Sequence, residues 1–207
     1  MAKSEEVLIP KPNFKTIVFT IKGTSPYIQE QFSEKAKREL EKKKEEAGKK
    51  VKVREKWNRE EEAEHLAYKF RDGGHGIPVS HIKGAMVRAC SLVGLPMTKA
   101  KMLINIEGDG FDAVDNKPLI KFKKGGKYQI QTEGFSVGMS AGRNDVHARP
   151  MYPEGWEADV RITFDEDILT SEMITNLLYR AGIMCGIGAW RPQKGGQWGT
   201  FELINQK

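Results

Sequence analysis

The apolar and polar positions of this chain change period several times, and each change predicts an element. Phe14–Lys22 is rich in β-branched and aromatic residues, with apolar groups at 14 and 18 on one parity and at 17, 19 and 21 on the other. That predicts a central strand, stopped by Gly23. Residues 1–13 read as a lead-in ending in the Pro-rich IPKPN. From 24 to about 72 the pattern lapses into dense Lys, Arg and Glu, with 14 basic against 11 acidic residues over 33–72. Such a mixed-sign run predicts a solvated helix or excursion, or an arm toward a neighbour or a nucleic acid strand. After a loop at 71–76, Ile82, Met86, Ala89, Cys90 and Val93 recur at helical spacing, with Ser80 as the expected N-cap and Gly94 as the stop. Lys83 and Arg88 fall on the opposite side.

Strands are then predicted at Lys101–Ile106, Pro118–Lys123 and Tyr128–Val137, separated by turns at 107–110, 115–116 and 124–126. Residues 138–149 are small, polar and unpatterned, which predicts a long loop carrying Arg143, His147 and Arg149. Trp156–Phe164 alternates as a strand. Ile174, Leu177, Leu178, Ala181 and Cys185 form one helical face, opened by Thr170 or Ser171 with acidic residues at 165–167. A glycine-rich stretch and a last strand at Trp198–Ile204 complete the chain. Strand, helix, strands, helix, strand is the βαββαβ order of a ferredoxin-like, RRM-like α+β sandwich. The expectation is one domain over 1–207 with a charged insertion at about 24–76.

The stretch Ala181–Phe201 holds six glycines, two tryptophans, Arg191 and Lys194. Its order is helix, glycine loop, strand, the reverse of a P-loop or dinucleotide fingerprint, and neither GxxxxGK[ST] nor GxGxxG occurs. A nucleotide cofactor is therefore not expected. Two readings stand: bare glycine amides with Arg191 and Lys194 against a phosphate chain and Trp190 and Trp198 as stacking faces, or a tight turn with core tryptophans.

The charge of +6 fits a polyanion partner and equally fits solubility alone. Cys90 and Cys185 both fall on apolar helix faces, the four histidines are scattered and no CxxC occurs. A reducing compartment is expected, with no structural metal and no cofactor. No apolar run is long enough to span a bilayer and the first residues lack a signal-peptide core, so a cytoplasmic protein without a membrane partner is expected.

Two separated stretches resemble one family. Ile77-Pro-Val-Ser-His-Ile-Lys-Gly-Ala-Met-Val-Arg88 resembles the IPGSSLKGALR helix opening of the RAMP superfamily, the RRM-like RNA-binding proteins of CRISPR effector complexes. Gly186–Phe201 resembles that family's C-terminal loop, GxGxxRxxGxGxF. The sequence departs from the pattern at His81, where a small residue is usual, at Pro192-Gln193, which lengthen the loop, and in the 24–76 insertion. The resemblance implies a sheet-and-loop surface that holds single-stranded RNA by its backbone, often with copies side by side. It places Ser80, His81, Lys83 and Arg88 near the strand, and Gly186, Gly188, Arg191, Lys194, Gly195, Gly196 and Gly199 in the loop. The 138–149 loop resembles the protruding loop of a backbone subunit.

Some members of that superfamily cut RNA, so His75, His81, His147 and Asp145 are candidates by position. None has a spacing that calls for catalysis. The expectation is a non-enzymatic binder of single-stranded nucleic acid, RNA rather than DNA, using Arg143, Arg149 and the two tryptophans besides the residues above. It would act as a homo-oligomer or a ribonucleoprotein subunit, of CRISPR backbone type or as a diverged viral relative. The alternatives are a virion or filament assembly protein and a metal-independent RNA-processing nuclease.

Overall fold

The computed structural model describes residues 10–31, 58–136 and 144–204. Strand β1 (Phe14–Gly23) pairs antiparallel with β9 (Glu157–Asp165) along its length and, at its end, with β10 (Phe201–Leu203). It is therefore a central strand, as its two-sided apolar pattern predicts. The main sheet runs β10-β1-β9-β6-β3, with β6 at Pro118–Lys124 and β3 at Gly76–Pro78. Two short strands, β4 (Asn105–Glu107) and β5 (Gly110–Phe111), add to β9 and β6.

One face of this sheet carries Ile21, Ala158, Val160, Ile162 and Ile120 into the core, where helices cover it. Helix α2 (Val79–Cys90) buries Ile82, Met86, Ala89 and Cys90, and α4 (Ser171–Arg180) buries Ile174, Leu177 and Leu178. Each fully buried large apolar side chain contributes about 1.5–3 kcal/mol, so these two stripes fix both helices on the sheet. Thr170 caps α4 by accepting the Met173 amide at 3.2 Å, as expected. Gly94, in the left-handed region at φ 76°, ends the turn after α2. Helix α2, however, begins one residue before Ser80. Pro78 takes the cap position with no side-chain bond, because β3 runs directly into the helix through the proline's fixed φ.

Three expectations need correcting. Lys101–Leu103 is the end of helix α3 (Met97–Leu103), and only Asn105–Glu107 is extended. Pro96 opens that helix and Ala100 is its buried residue, a local start signal that outweighs the apolar residues following it. The last strand is confined to Phe201–Leu203. Half of the supposed 138–149 loop, residues 144–149, belongs to strand β8 (Asn144–Tyr152), while 137–143, and Arg143 with it, lies outside the described residues.

Strand β8 is the middle strand of a second sheet, between β7 (Gln129–Ser136) and the two-residue β2 (Tyr27–Ile28). The predicted insertion is thus tied down at both ends. Its start supplies β2, and its end supplies α1 (Arg59–Leu66), capped by Asn58, whose Glu62 accepts the Ala148 amide at 3.0 Å. The two sheets meet around fully buried Trp156, whose indole donates to the Ser25 carbonyl at 3.2 Å, with Tyr27 stacked on Tyr152 at 5.7 Å. Among the described residues no helix is long and apolar enough to cross a membrane.

Candidate nucleic-acid interface

Past Arg180 the helix widens into a π turn, Ala181–Cys185, that ends at Gly186. The loop then doubles back on itself. Ile187 donates to the Gly199 carbonyl (2.9 Å), Trp198 to Trp190 (3.0 Å) and Ala189 to Ile28 of β2 (3.0 Å), while a 3-10 turn forms at Pro192–Lys194. The amides of Gly186, Gly195, Gly196 and Gly199 donate to the carbonyls of Ala181, Pro192, Arg191 and Pro26. These four amides are spent on the chain itself, so they do not form the bare row that the sequence suggests. What the glycines supply is close approach. Gly188 and Gly199 have φ near 75° and 69°, and a Cβ there would strike the carbonyl oxygens of Ile28 and Ile187.

The loop is therefore a rigid mount for side chains. Trp190 sits in the left-handed region (φ 56°), where a bulky residue is strained, and its ring remains 44% exposed beside Trp198, centroids 6.0 Å apart. Arg191 braces the loop through the Gly188 carbonyl (2.7 Å) and Gln193 (3.1 Å), and Lys194 is exposed. A cleft of about 430 Å³ opens beside them, bordered by Trp190, Arg191, Lys194, His81, Arg149 and Glu30. Both stretches singled out in the sequence thus meet in one place, His81 from the start of α2 and the cations from the glycine loop.

Arg149 is nearly buried on β8 and pairs with Glu30 at 2.7 Å. Among the described residues, three cations border the cleft against this one carboxylate. His81 Nδ1 lies 2.7 Å from the hydroxyl of fully buried Tyr27. Burial, and then the charges of Arg191 and Lys117, push its pKa down to about 4. Arg88 is exposed on α2, and it and Arg191 both act electrostatically on Cys185, opposing the burial that raises the thiol's pKa. Arg88 does not itself border the cleft. Ser80 is exposed and Lys83 half-buried on α2, and neither borders the cleft.

The other catalytic candidates lie elsewhere. His75 packs edge-on against Tyr128 at 5.1 Å, and His147 Nδ1 meets Glu62 at 2.8 Å. Asp145 is on β8, with its side chain outside the described part. Among the described residues no three His, Cys, Asp or Glu side chains gather as a metal site. The solvent face of the main sheet also differs from a stacking platform. Thr16 meets Thr163 (2.7 Å), Thr20 and Lys123 both bond Asp159 (2.6 and 3.2 Å), and Arg161 pairs with Asp109. Lys15, Lys123, Lys124 and Arg161 of this sheet are each paired with a carboxylate, whereas among the described residues the cations bordering the cleft outnumber the carboxylates there.

Glu30, Tyr27 and Gln29 escape sequence reasoning. Their one signal is a short aromatic-apolar step, Pro26-Tyr-Ile-Gln29, at the edge of the charged run, too brief to show a period.

No protein-family profile matches the chain, and no curated protein matches it. Among solved structures, a chain of the cryo-EM structure of the Type III-B Cmr-beta bound to cognate target RNA aligns with 93% of this chain at a TM-score of 0.54 and 12% identity. This chain spans 60% of that chain's length. The crystal structure of Cmr6 from Pyrococcus furiosus aligns with 93% of this chain and 99% of its own, with a TM-score of 0.40 and 12% identity. The likeness to the Cmr-beta chain is one of fold: this is an α+β protein with antiparallel sheets, and it shares that fold with a chain of the Type III-B Cmr-beta structure.

Proposed function

We propose that the chain binds single-stranded nucleic acid, RNA in preference to DNA, along the cleft between helix α2 and the glycine loop, as a non-enzymatic subunit of a ribonucleoprotein. The observation that carries this reading is the convergence of Arg149, Arg191 and Lys194 on one cleft with exposed Trp190. Cations there engage phosphates and the indole offers a stacking face, a combination suited to a strand whose bases are not paired. That the Cmr-beta chain comes from a complex bound to target RNA supports RNA over DNA. Arg88, Lys83 and Ser80 of α2 extend the same path, and Trp198 supports Trp190. The sheet order β10-β1-β9-β6 supports reading the core as ferredoxin-like βαββαβ, with the 24–76 segment inserted after β1. Two buried free cysteines fit the cytosol.

The test is a mobility-shift titration with single strand and duplex of one sequence over a range of salt. Single-strand preference and a steep salt dependence are expected; equal affinity for duplex rejects the reading, and cleavage of the probe rejects the non-enzymatic part of it. Assembly along the strand is favoured by exposed apolar side chains on the helical side, Leu92, Val93, Met97, Met173, Ile183 and Met184. Mass measured during the same titration separates the two readings: growth only with oligonucleotide supports a coating subunit, and growth without it the assembly-protein alternative.

Glu30 competes with phosphate for Arg149 in this arrangement. Glu30→Gln is expected to tighten single-strand binding about 3–10-fold, since it removes the carboxylate bordering the cleft. Unchanged or weaker binding, measured by anisotropy, removes Arg149 from the strand's path.

A further inference from the structure

The orientation of one buried amide sets the proton arrangement of the cleft. Gln29 Oε1 accepts the Tyr68 amide at 2.9 Å, and its Nε2 donates to the Gly76 carbonyl at 2.8 Å. A backbone N–H only donates and a carbonyl only accepts, so the side chain has one permitted orientation. Nε2 also points at the Tyr27 hydroxyl, 3.3 Å away, whose oxygen accepts. Fully buried, this hydroxyl needs an acceptor for its one proton, and His81 Nδ1, 2.7 Å distant, is the acceptor within reach among its bonding partners here. With Nδ1 accepting, the neutral imidazole carries its proton on Nε2, leaving that edge for the cleft.

We propose that His81, held in its Nε2–H form by Tyr27, is a specificity-determining donor of this cleft, giving one uncharged hydrogen bond to an acceptor oxygen of the bound strand. The inference rests on the nucleic-acid reading above. The surroundings of the ring support it from every side. Arg191 and Lys194 of the loop and Arg149 of β8 border the same cleft, and Lys117 sits 5.4 Å from the ring of Tyr68, itself edge-on to His81. Glu30, the carboxylate at the cleft, is engaged by Arg149. A positive imidazolium has no stabilising partner among these groups, in keeping with its pKa of about 4. The ring therefore stays neutral across the physiological range. It adds direction to a site whose attraction comes from the three cations. It also has no free lone pair for a 2′-hydroxyl proton, since Nδ1 is occupied and Nε2 is protonated, so it is not the base of a nuclease.

The test is fluorescence anisotropy with a labelled single-stranded oligouridylate on the full chain, with His81→Gln, His81→Asn, His81→Ala and Tyr27→Phe. Glutamine places an N–H near Nε2, whereas asparagine places one near Nδ1. Wild-type affinity is expected to be constant from about pH 5.5 to 8. His81→Gln stays within about 2-fold of it, and His81→Ala and His81→Asn fall about 3–10-fold. Tyr27→Phe removes the donor to Nδ1 and releases the tautomer, so binding is expected to weaken about 2–5-fold and to stay independent of pH, because burial and the charges of Arg191 and Lys117 still hold the ring neutral. Nitrogen-15 spectra of the wild type independently report the tautomer. A Nδ1–H pattern, a pH-dependent wild type, or His81→Gln as weak as His81→Ala overturns the inference alone. A wild type that binds no single strand overturns the functional reading and this inference with it.

Discussion

Replacing Arg191 and Lys194 together by alanine is expected to weaken single-strand binding about 100-fold, at roughly 1.5 kcal/mol for each charge-assisted contact. The slope of log affinity against log salt should fall by about 1.4, since each phosphate neutralised on a single strand accounts for about 0.7. Lys194 is exposed, so its loss leaves the fold intact. Arg191 also bonds the Gly188 carbonyl and Gln193, so its removal loosens the loop as well as discharging it. Arg191→Lys keeps the charge and loses the brace, which separates the two contributions. A double variant with unchanged slope would place the strand somewhere other than this cleft.

The largest expected loss of stability comes from Gly199→Ala. The left-handed backbone costs about 1–2 kcal/mol for an L-residue. The new methyl also strikes the Ile187 carbonyl, displacing the bonds from Gly199 to Pro26 and from Ile187 to Gly199. At about 0.5–1.5 kcal/mol for each bond, the sum is about 2–5 kcal/mol. Gly195→Ala is the control: its φ is 82° but the space around it is open, so only the conformational cost, about 1–2 kcal/mol, remains. Urea denaturation of both variants checks this. Equal losses would mean that the close approach of Gly199 to Ile187 within the loop contributes nothing.

The sequence made legible whatever depends on short-range pattern. The two-sided apolar run of β1, the stripe of α4 with its Thr170 cap, and Gly94 as a stop are each decided by residues within a few positions of one another. The two ends of the cleft were legible because each is a compact motif. Long-range pairing was not. Asn144–Tyr152 has no clean alternation because its polar residues have partners from distant segments, Arg149 from Glu30 and His147 from Glu62. Those partners make an extended strand out of a stretch that reads as loop. Ser80 was misread for a related reason, since a good capping residue has no role where a strand and a proline already set the helix entry. The glycine loop was found, but its use differs: its amides hold the loop shut, and its side chains face outward.

Because the cleft draws on the segment just after β2, the start of α2, β8 and the loop before β10, its lining residues are spread from Glu30 to Lys194 and no single element or hairpin contains it. If the proposed function holds, occupancy by a strand and completion of the tertiary structure are therefore linked equilibria, and single-stranded oligonucleotide is expected to raise the melting point with its concentration.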